Sequence, residues 1–438
     1  MVKNEIKHDW SKHVSRGKPA RLFSSLKLSN KEQIATSTLL AVFRLVPELL
    51  SELIKDVGLK ITDKSTFHAL TEVNLVKENP SKKDRPDGYL YIKNRNEWSA
   101  LIEAKVGKNS LSPEQVSRYL DDARSNNIDA LITISNEFSP RVDQSPVEVP
   151  KRLLTKVKLY HFSWRLILSK AQLLKQNSSI EDREKIFVLE ELIRFLHDDS
   201  VGDKSFSNMP ATWGDISKEI TVGAKLKVSD QRLSDNANAL VEEFSEIALN
   251  LTDHLGVNCS AKLPTNYIND KSLWQKSIMR SMIDGKPIAC HYNIPDAANS
   301  LAIEIDITKS TISVGMEIDA PKDKKTISGK VNWLMRQLKN QDIPDSYVKV
   351  RWNSRAADAF IKMNEVSSDL PIPPSKTTNI STFTPMIQLQ STRTFQSRKA
   401  FIVELENAVL TFYDEHAQYL RSWTPKAPAP IEEYEIDE

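Results

Sequence analysis

From Ser99 to Val106 the side chains alternate without a break, with Ala100, Ile102, Ala104 and Val106 on one side and Glu103 and Lys105 on the other. Residues two apart share a face of a strand. The stretch is therefore expected to pack its apolar side on a core and to hold an acid and a base together on the opposite side. Upstream, Asp87-Gly88-Tyr89-Leu90-Tyr91-Ile92 alternates in the same way, with Asp87 and the tyrosines facing opposite to Gly88, Leu90 and Ile92. Two adjacent strands of this register bring Asp87 to Glu103. A sheet is thus required, with two carboxylates and an ammonium gathered at the ends of its central strands.

Two converging carboxylates repel unless a cation lies between them, and hard divalent ions such as Mg2+ favour oxygen ligands. Such a metal polarises a phosphoryl oxygen and lowers the pKa of its bound water. Lys105 supplies a compact positive charge able to hold the attacking water and offset charge on phosphorus. Phosphodiester hydrolysis is the chemistry that uses all three groups.

Pro86-Asp87 followed, after 15 intervening residues, by Glu103-Ala104-Lys105 resembles the PD-(D/E)XK nucleases, whose fold is called restriction-endonuclease-like. The resemblance implies metal binding by Asp87 and Glu103 and assistance to the water by Lys105. Mg2+ is the implied cofactor, with Mn2+ able to substitute. Gln115 and Tyr119 look like the Q-x-x-x-Y helix motif of RecB-like and lambda-exonuclease-like branches, in which the glutamine lies beside the site and the tyrosine supports it. Glu72, on an expected first strand, is a candidate further metal ligand. Glu48 or Glu52, on the preceding helix, could be one also, although a structural or solvated role suits each of these three acids.

Each fragment also has an ordinary reading. Asp87-Gly88 is a turn signal. A Glu-x-Lys pair can be a solvated surface pair, and Gln115 can complete a capping box begun by Ser112 with Pro113 at the first helical position. Their joint order inside a fitting pattern favours the site.

The flanking pattern extends the resemblance over about residues 31 to 170. Apolar positions at helical spacing from Lys31 to Asp56 (Ile34, Leu39, Val42, Leu45, Leu49, Leu53) predict one helix covering the sheet. Strands are expected at Phe67–Val76, Asp87–Lys93, Ser99–Val106 and Asp129–Ser135, with the Ser112 helix before the last. The order is α-β-β-β-α-β, an α/β class with the restriction-endonuclease-like core. A fifth strand at Leu159–Ser163 runs into a helix capped by Ser163. His161 has no second histidine at metal-ligand spacing and reads as a packed structural residue.

The chain divides by composition into a basic arm (1–30), a nuclease-like domain (31–198), an α+β accessory domain (199–424) for recognition, oligomerisation or regulation, and an acidic tail (425–438) with five acids after spaced prolines. Net charge is +2 over 438 residues, so any attraction to nucleic acid must be local. The first 31 residues carry eight lysines and arginines against two acids, enough to engage several phosphates. In the second half, Lys349, Arg351, Trp352 and Arg355 join charge to an aromatic, suited to phosphate contact and stacking, although a buried tryptophan beside surface charges suits the pattern as well. Asp284-Gly285 before Glu304-Ile305-Asp306 imitates the first spacing but lacks the lysine, and is assigned no chemistry.

Two cysteines, Cys259 and Cys290, form neither a disulfide framework nor a zinc pattern. With no apolar leader and no uninterrupted apolar span, a cytosolic (cytoplasmic) protein is expected. The expected function is a Mg2+-dependent nuclease cutting DNA, an endonuclease whose layout resembles prokaryotic restriction and anti-phage defence nucleases. RNA cleavage, or a nuclease fold reduced to binding nucleic acid or protein, are the alternatives. Cutting both strands with one site per chain calls for a homo-oligomer, a partner protein or two successive events.

Overall fold

The computed structural model describes residues 12–22, 31–62, 64–77, 85–107, 109–137, 139, 142–176, 180–198, 201, 208–269, 271–339, 342–367 and 379–424. The acidic tail, most of the basic arm and most of the Pro/Ser/Thr-rich stretch at 368–381 lie outside these residues. Two compact units are present: residues 1–206 with 249–258, and 207–248 with 259–438. The boundary falls at 206, eight residues beyond the 198 expected, and a late segment of chain returns to the first unit.

In the first unit the elements are β1 (Val14–Pro19), α1 (Lys31–Leu45), α2 (Pro47–Lys55), β2 (Thr66–Leu75), β3 (Gly88–Lys93), β4 (Glu97–Ala104), α3 (Pro113–Ser125), β5 (Ala130–Ser135), β6 (Lys158–Ser163), α4 (Trp164–Gln176) and α5 (Arg183–Leu196). They form a six-stranded mixed sheet in sequential order β1 to β6. β1 to β4 pair antiparallel with one another, whereas β4, β5 and β6 are mutually parallel. Alternation sorts the side chains as the sequence predicts. Leu90, Ile92, Ala100, Ile102 and Ala104 face the core shared with α1, α2, α4 and α5, while Tyr89, Tyr91 and Leu101 face the core shared with Tyr119 of α3.

Two expectations are corrected. The helix foreseen over Lys31–Asp56 is two, α1 and α2, bent by 105°. Pro47 stands at the first position of α2, where its missing N–H costs nothing, and the turn starts anew there. Further along, α5 is capped by the Asp182 carboxylate accepting from the amides of Glu184 and Lys185. The basic arm contains an edge strand, β1, which pairs with β2, and two of its cations are spent on Lys12–Glu97 and Lys18–Glu72 ion pairs.

The first unit also holds the end of a long helix from further along the chain. Arg165 on α4 donates to Asn250 Oδ1 at 2.8 Å and pairs with Asp253 at 2.7 Å, and Gln176 Nε2 donates to the Asp253 carbonyl at 2.9 Å.

The second unit comprises α6 (Trp213–Thr221), α7 (Gln231–Leu255, its last turns in the first unit), β7 (Ser260–Ala261), α8 (Thr265–Asn269), α9 (Lys271–Asp284), β8 (Ile288–Asn293), β9 (Leu301–Asp306), β10 (Thr311–Met316), β11 (Ile318–Asp319), α10 (Ile327–Met335), β12 (Ser346–Trp352), β13 (Ala359–Lys362), β14 (Ile380–Gln390), α11 (Thr392–Gln396) and α12 (Arg398–Glu415). Its sheet is antiparallel, in the order β13-β12-β14-β10-β9-β8-β7, with β11 paired to β14. The α+β reading of this half stands. Both cysteines are buried, and neither is in a disulfide. No single helix among the described residues is long and apolar enough to cross a membrane.

Candidate active site

Gly88 decides how the site is assembled. It is the first residue of β3 rather than part of the turn that Asp-Gly suggests, and a Cβ there would meet Leu40 Cδ1 at 2.8 Å and Thr36 Cγ2 at 3.2 Å. Its bare backbone lets α1 lie close across the strand. Thr36 and Leu40 are one turn apart on the facing side of α1, and Glu32 is the next residue in that series. Glu32 therefore arrives at the strand ends where Asp87 and Glu103 stand.

Gly88 is opposite Ile102 in the β3–β4 register, which places Asp87 beside the Glu103-Ala104 end of β4. The Ala104 amide donates to Asp87 Oδ2 at 2.9 Å. Lys105 Nζ donates to Glu103 Oε1 at 2.7 Å and lies 3.6 Å from Glu32 Oε2. Glu32 Oε1 accepts from Asn109 Nδ2 at 2.9 Å. The lysine's backbone is fixed as well: its N–H donates to the Ile134 carbonyl, and its carbonyl accepts from the Trp164 indole at 2.8 Å. Glu103 is 2 % exposed, and its second oxygen, Oε2, is buried without a hydrogen-bond partner.

Burial pushes the Asp87 carboxyl up to about 6, against the opposing pull of the Ala104 amide and Lys105. Burial, and then the Asp87 charge, push Glu103 up to about 8. Lys105 moves in its own favour: burial alone would depress its pKa, but Glu103, Glu32 and Asp87 together raise it. The lysine stays an ammonium at neutral pH, a donor and a charge rather than a base.

Tyr119 and Gln115 occupy supporting places. The Tyr119 hydroxyl, buried on α3, donates to the Arg85 carbonyl at 3.0 Å and so pins the chain two residues before Asp87. Gln115 Nε2 donates to that hydroxyl at 3.4 Å, while its backbone amide donates to Ser112 Oγ, so Ser112 caps α3 and the Gln115 side chain turns to the tyrosine. Glu72 is not brought to the carboxylates: it sits at a bulge of β2 with φ 49° and pairs with Lys18. Glu48 pairs with Lys185 and Glu52 with Lys55. The acid that α1–α2 contributes is Glu32, which the sequence reading missed. The clue available was the glycine after Asp87, since a helix crossing so closely must bring its first turn over the aspartate.

His161 is structural: Nδ1 meets Thr133 Oγ1 at 3.1 Å and Nε2 meets the Glu137 carbonyl at 2.8 Å. The imitation at 284–306 disperses. Gly285 closes α9 with φ 61°, Glu304 is exposed, and Asp306 is engaged by Thr308 and Lys309.

Among the described residues no three His, Cys, Asp or Glu side chains are disposed as a ready-made metal site, because the Lys105 ammonium stands between Glu103 and Glu32. The donor chemistry nevertheless suits a hard cation: oxygen ligands, a carboxylate oxygen without a partner, and two acids driven toward protonation by burial and by the charge of neighbouring acids. No family model, curated protein or solved structure matches this chain.

Proposed function

We propose that the first unit is a metal-dependent phosphodiesterase of the restriction-endonuclease-like class, with DNA as substrate and Asp87, Glu103 and Lys105 as its catalytic residues. The observation that carries this reading is the pairing of Asp87 with a buried Glu103 whose Oε2 lacks a partner, both acids held far above their ordinary pKa. Two carboxyl groups buried side by side cost several kcal/mol, on the order of the usual desolvation penalty, which the Lys105 ammonium on Glu103 offsets only in part. The element order α1–α2, β2, β3, β4, α3, β5 supports the class assignment.

Asp87 and Glu103 would hold Mg2+, or Mn2+ in its place, through the oxygens not already engaged by the Ala104 amide and Lys105. When bound, the ion supplies phosphoryl polarisation and an acidified water. Lys105, permanently cationic, orients the attacking water and balances charge on the phosphorane oxygens. Glu32 and Glu103 hold the ammonium on the strand axis. Tyr119, with Gln115 behind it, fixes the Arg85-Pro86 backbone and thereby the position of Asp87.

A second reading, a nuclease-like fold that binds without cutting, is favoured by the Lys105 ammonium already occupying the space between Glu103 and Glu32. The test is cleavage of supercoiled plasmid, linear duplex, single-stranded DNA and RNA with Mg2+, Mn2+ or EDTA. Metal-dependent cutting lost in Asp87→Ala and Lys105→Ala is the expected result. No cutting of any substrate, together with calorimetry showing no Asp87-dependent metal uptake, overturns the enzyme in favour of the binding module.

A further inference from the structure

At its β12–β13 edge the sheet of the second unit has one face in a core and one toward solvent. On β12, Val348, Val350 and Trp352 point inward and are buried, whereas Tyr347, Lys349 and Arg351 point outward. Register places Lys362 of β13 opposite Tyr347 and Phe360 opposite Lys349, so all five side chains share the outer face. The Tyr347 and Phe360 rings stack at 4.7 Å between centroids and 21° between planes, and Phe360 is 47 % exposed. A large exposed aromatic fixed by a ring beneath it, with three cations around it, is not what a solvated sheet face needs.

The platform is confined to this edge of the sheet. Tyr347 is level with the half-buried Met386 of β14 and then with Gly315 of β10. Met386 and Thr384 crowd over Gly315, and the whole of β10 is buried. From Lys362 to Met386 the row crosses two inter-strand steps of about 4.8 Å, or about 10 Å, room for one or two bases.

We propose that this edge of the sheet binds single-stranded nucleic acid, a base stacking on Phe360 and flanking phosphates engaged by Lys349, Arg351 and Lys362. Aromatic platforms on open sheets ringed by cations recognise single strands because every base presents a π-face, whereas a duplex hides its bases. The acids nearby do not forbid it. Lys349 pairs with Asp358 at 3.3 Å, and Arg351 with Glu317 at 3.1 Å and Asp358 at 3.8 Å, yet the four side chains are 32–48 % exposed. Pairs this exposed are weak, so a phosphate can displace them. The inference is independent of the chemistry assigned to the first unit.

The test is fluorescence anisotropy of the full chain in EDTA with labelled oligo-dT, oligo-U and a duplex of equal length. EDTA removes cleavage, so an inactive first unit does not affect the reading. Binding of a single strand in preference to duplex is expected, weakened about tenfold by Phe360→Ala and retained by Phe360→Tyr. Removing Lys349, Arg351 and Lys362 together lowers the slope of log affinity against log salt by about 2, at about 0.7 per phosphate contact. Duplex bound as tightly as single strands, single-strand affinity indifferent to Phe360→Ala, or no binding of any strand each overturns the proposal.

Discussion

Glu103→Gln is expected to stabilise the metal-free first unit at alkaline pH. In the folded chain Glu103 is pushed up to about 8, against an ordinary 4.5, so between those values the native state keeps a proton that the unfolded state has lost. Stability then falls as pH rises through that window, the reverse of the behaviour of a salt-bridged acid. From pH 5.5 to 8 the span is about 2.5 units, or about 3.4 kcal/mol at 1.36 kcal/mol per unit. Asp87 shares the same repulsion, and the substitution weakens the link to Lys105. We therefore assign about half, ~2 kcal/mol, to Glu103. Hydrogen exchange of the β4 amides in EDTA reads this locally, without requiring the two units to unfold together. The ratio of protection in the variant to that in the wild type, taken at each pH so that intrinsic exchange cancels, should rise about thirtyfold from pH 5.5 to 8, since 1.4 kcal/mol is about tenfold. Saturating Mg2+ should abolish the rise, because a cation between the acids removes the cause of protonation. An identical pH dependence in both proteins would refute the reasoning about the buried pair.

Tyr119→Phe deletes the hydroxyl that holds the Arg85 carbonyl. We expect about 1 kcal/mol lost in stability, measured by urea unfolding, and a fall in cleavage rate larger than that stability change accounts for; cleavage unchanged would remove the tyrosine from the positioning role. Gly88→Ala drives a methyl to 2.8 Å from Leu40 Cδ1 and should cost about 1–3 kcal/mol, with faster exchange in the first turn of α1, where Glu32 sits. His416 in the second unit is fully buried, and burial lowers it to about 4. Its contribution is complete above pH 6.5 and is lost as pH falls toward 4, up to about 3 kcal/mol. His416→Gln should flatten the acid limb of hydrogen exchange measured in α12.

The strands and the central site were readable because both depend on local alternation. Residues 87–92 and 99–106 each carry a period of two, and two such strands in register need nothing else to bring Asp87 to Glu103. Ser112 and Ser163 cap their helices as their positions foretold. What escaped was non-local. Glu32 reaches Lys105 across 73 positions of chain because a helix crosses a glycine, and no periodicity reports a crossing. The edge strand β1 was hidden because its segment, Val-Ser-Arg-Gly-Lys-Pro, has a glycine, a proline and two cations, features that suit an edge and resemble a loop. Trp352 drew attention as an aromatic among cations, but it is 4 % exposed, and the ring facing solvent is Phe360 on the neighbouring strand. Neighbours across a sheet are set by register, which neither segment encodes alone.

Arg165 finds Asn250 and Asp253 inside the first unit, and this has a consequence for how the protein is made. The first unit is not finished when residue 206 leaves the ribosome. Another 52 residues, to 258, must follow before its last pieces exist, roughly 3–10 s at ordinary rates of bacterial-scale synthesis of about 5–20 residues per second. During that interval Arg165 and the surface around it lack their partners. A fragment ending at 206 would lack those pieces, so the first unit is best studied within a chain that includes the returning helix.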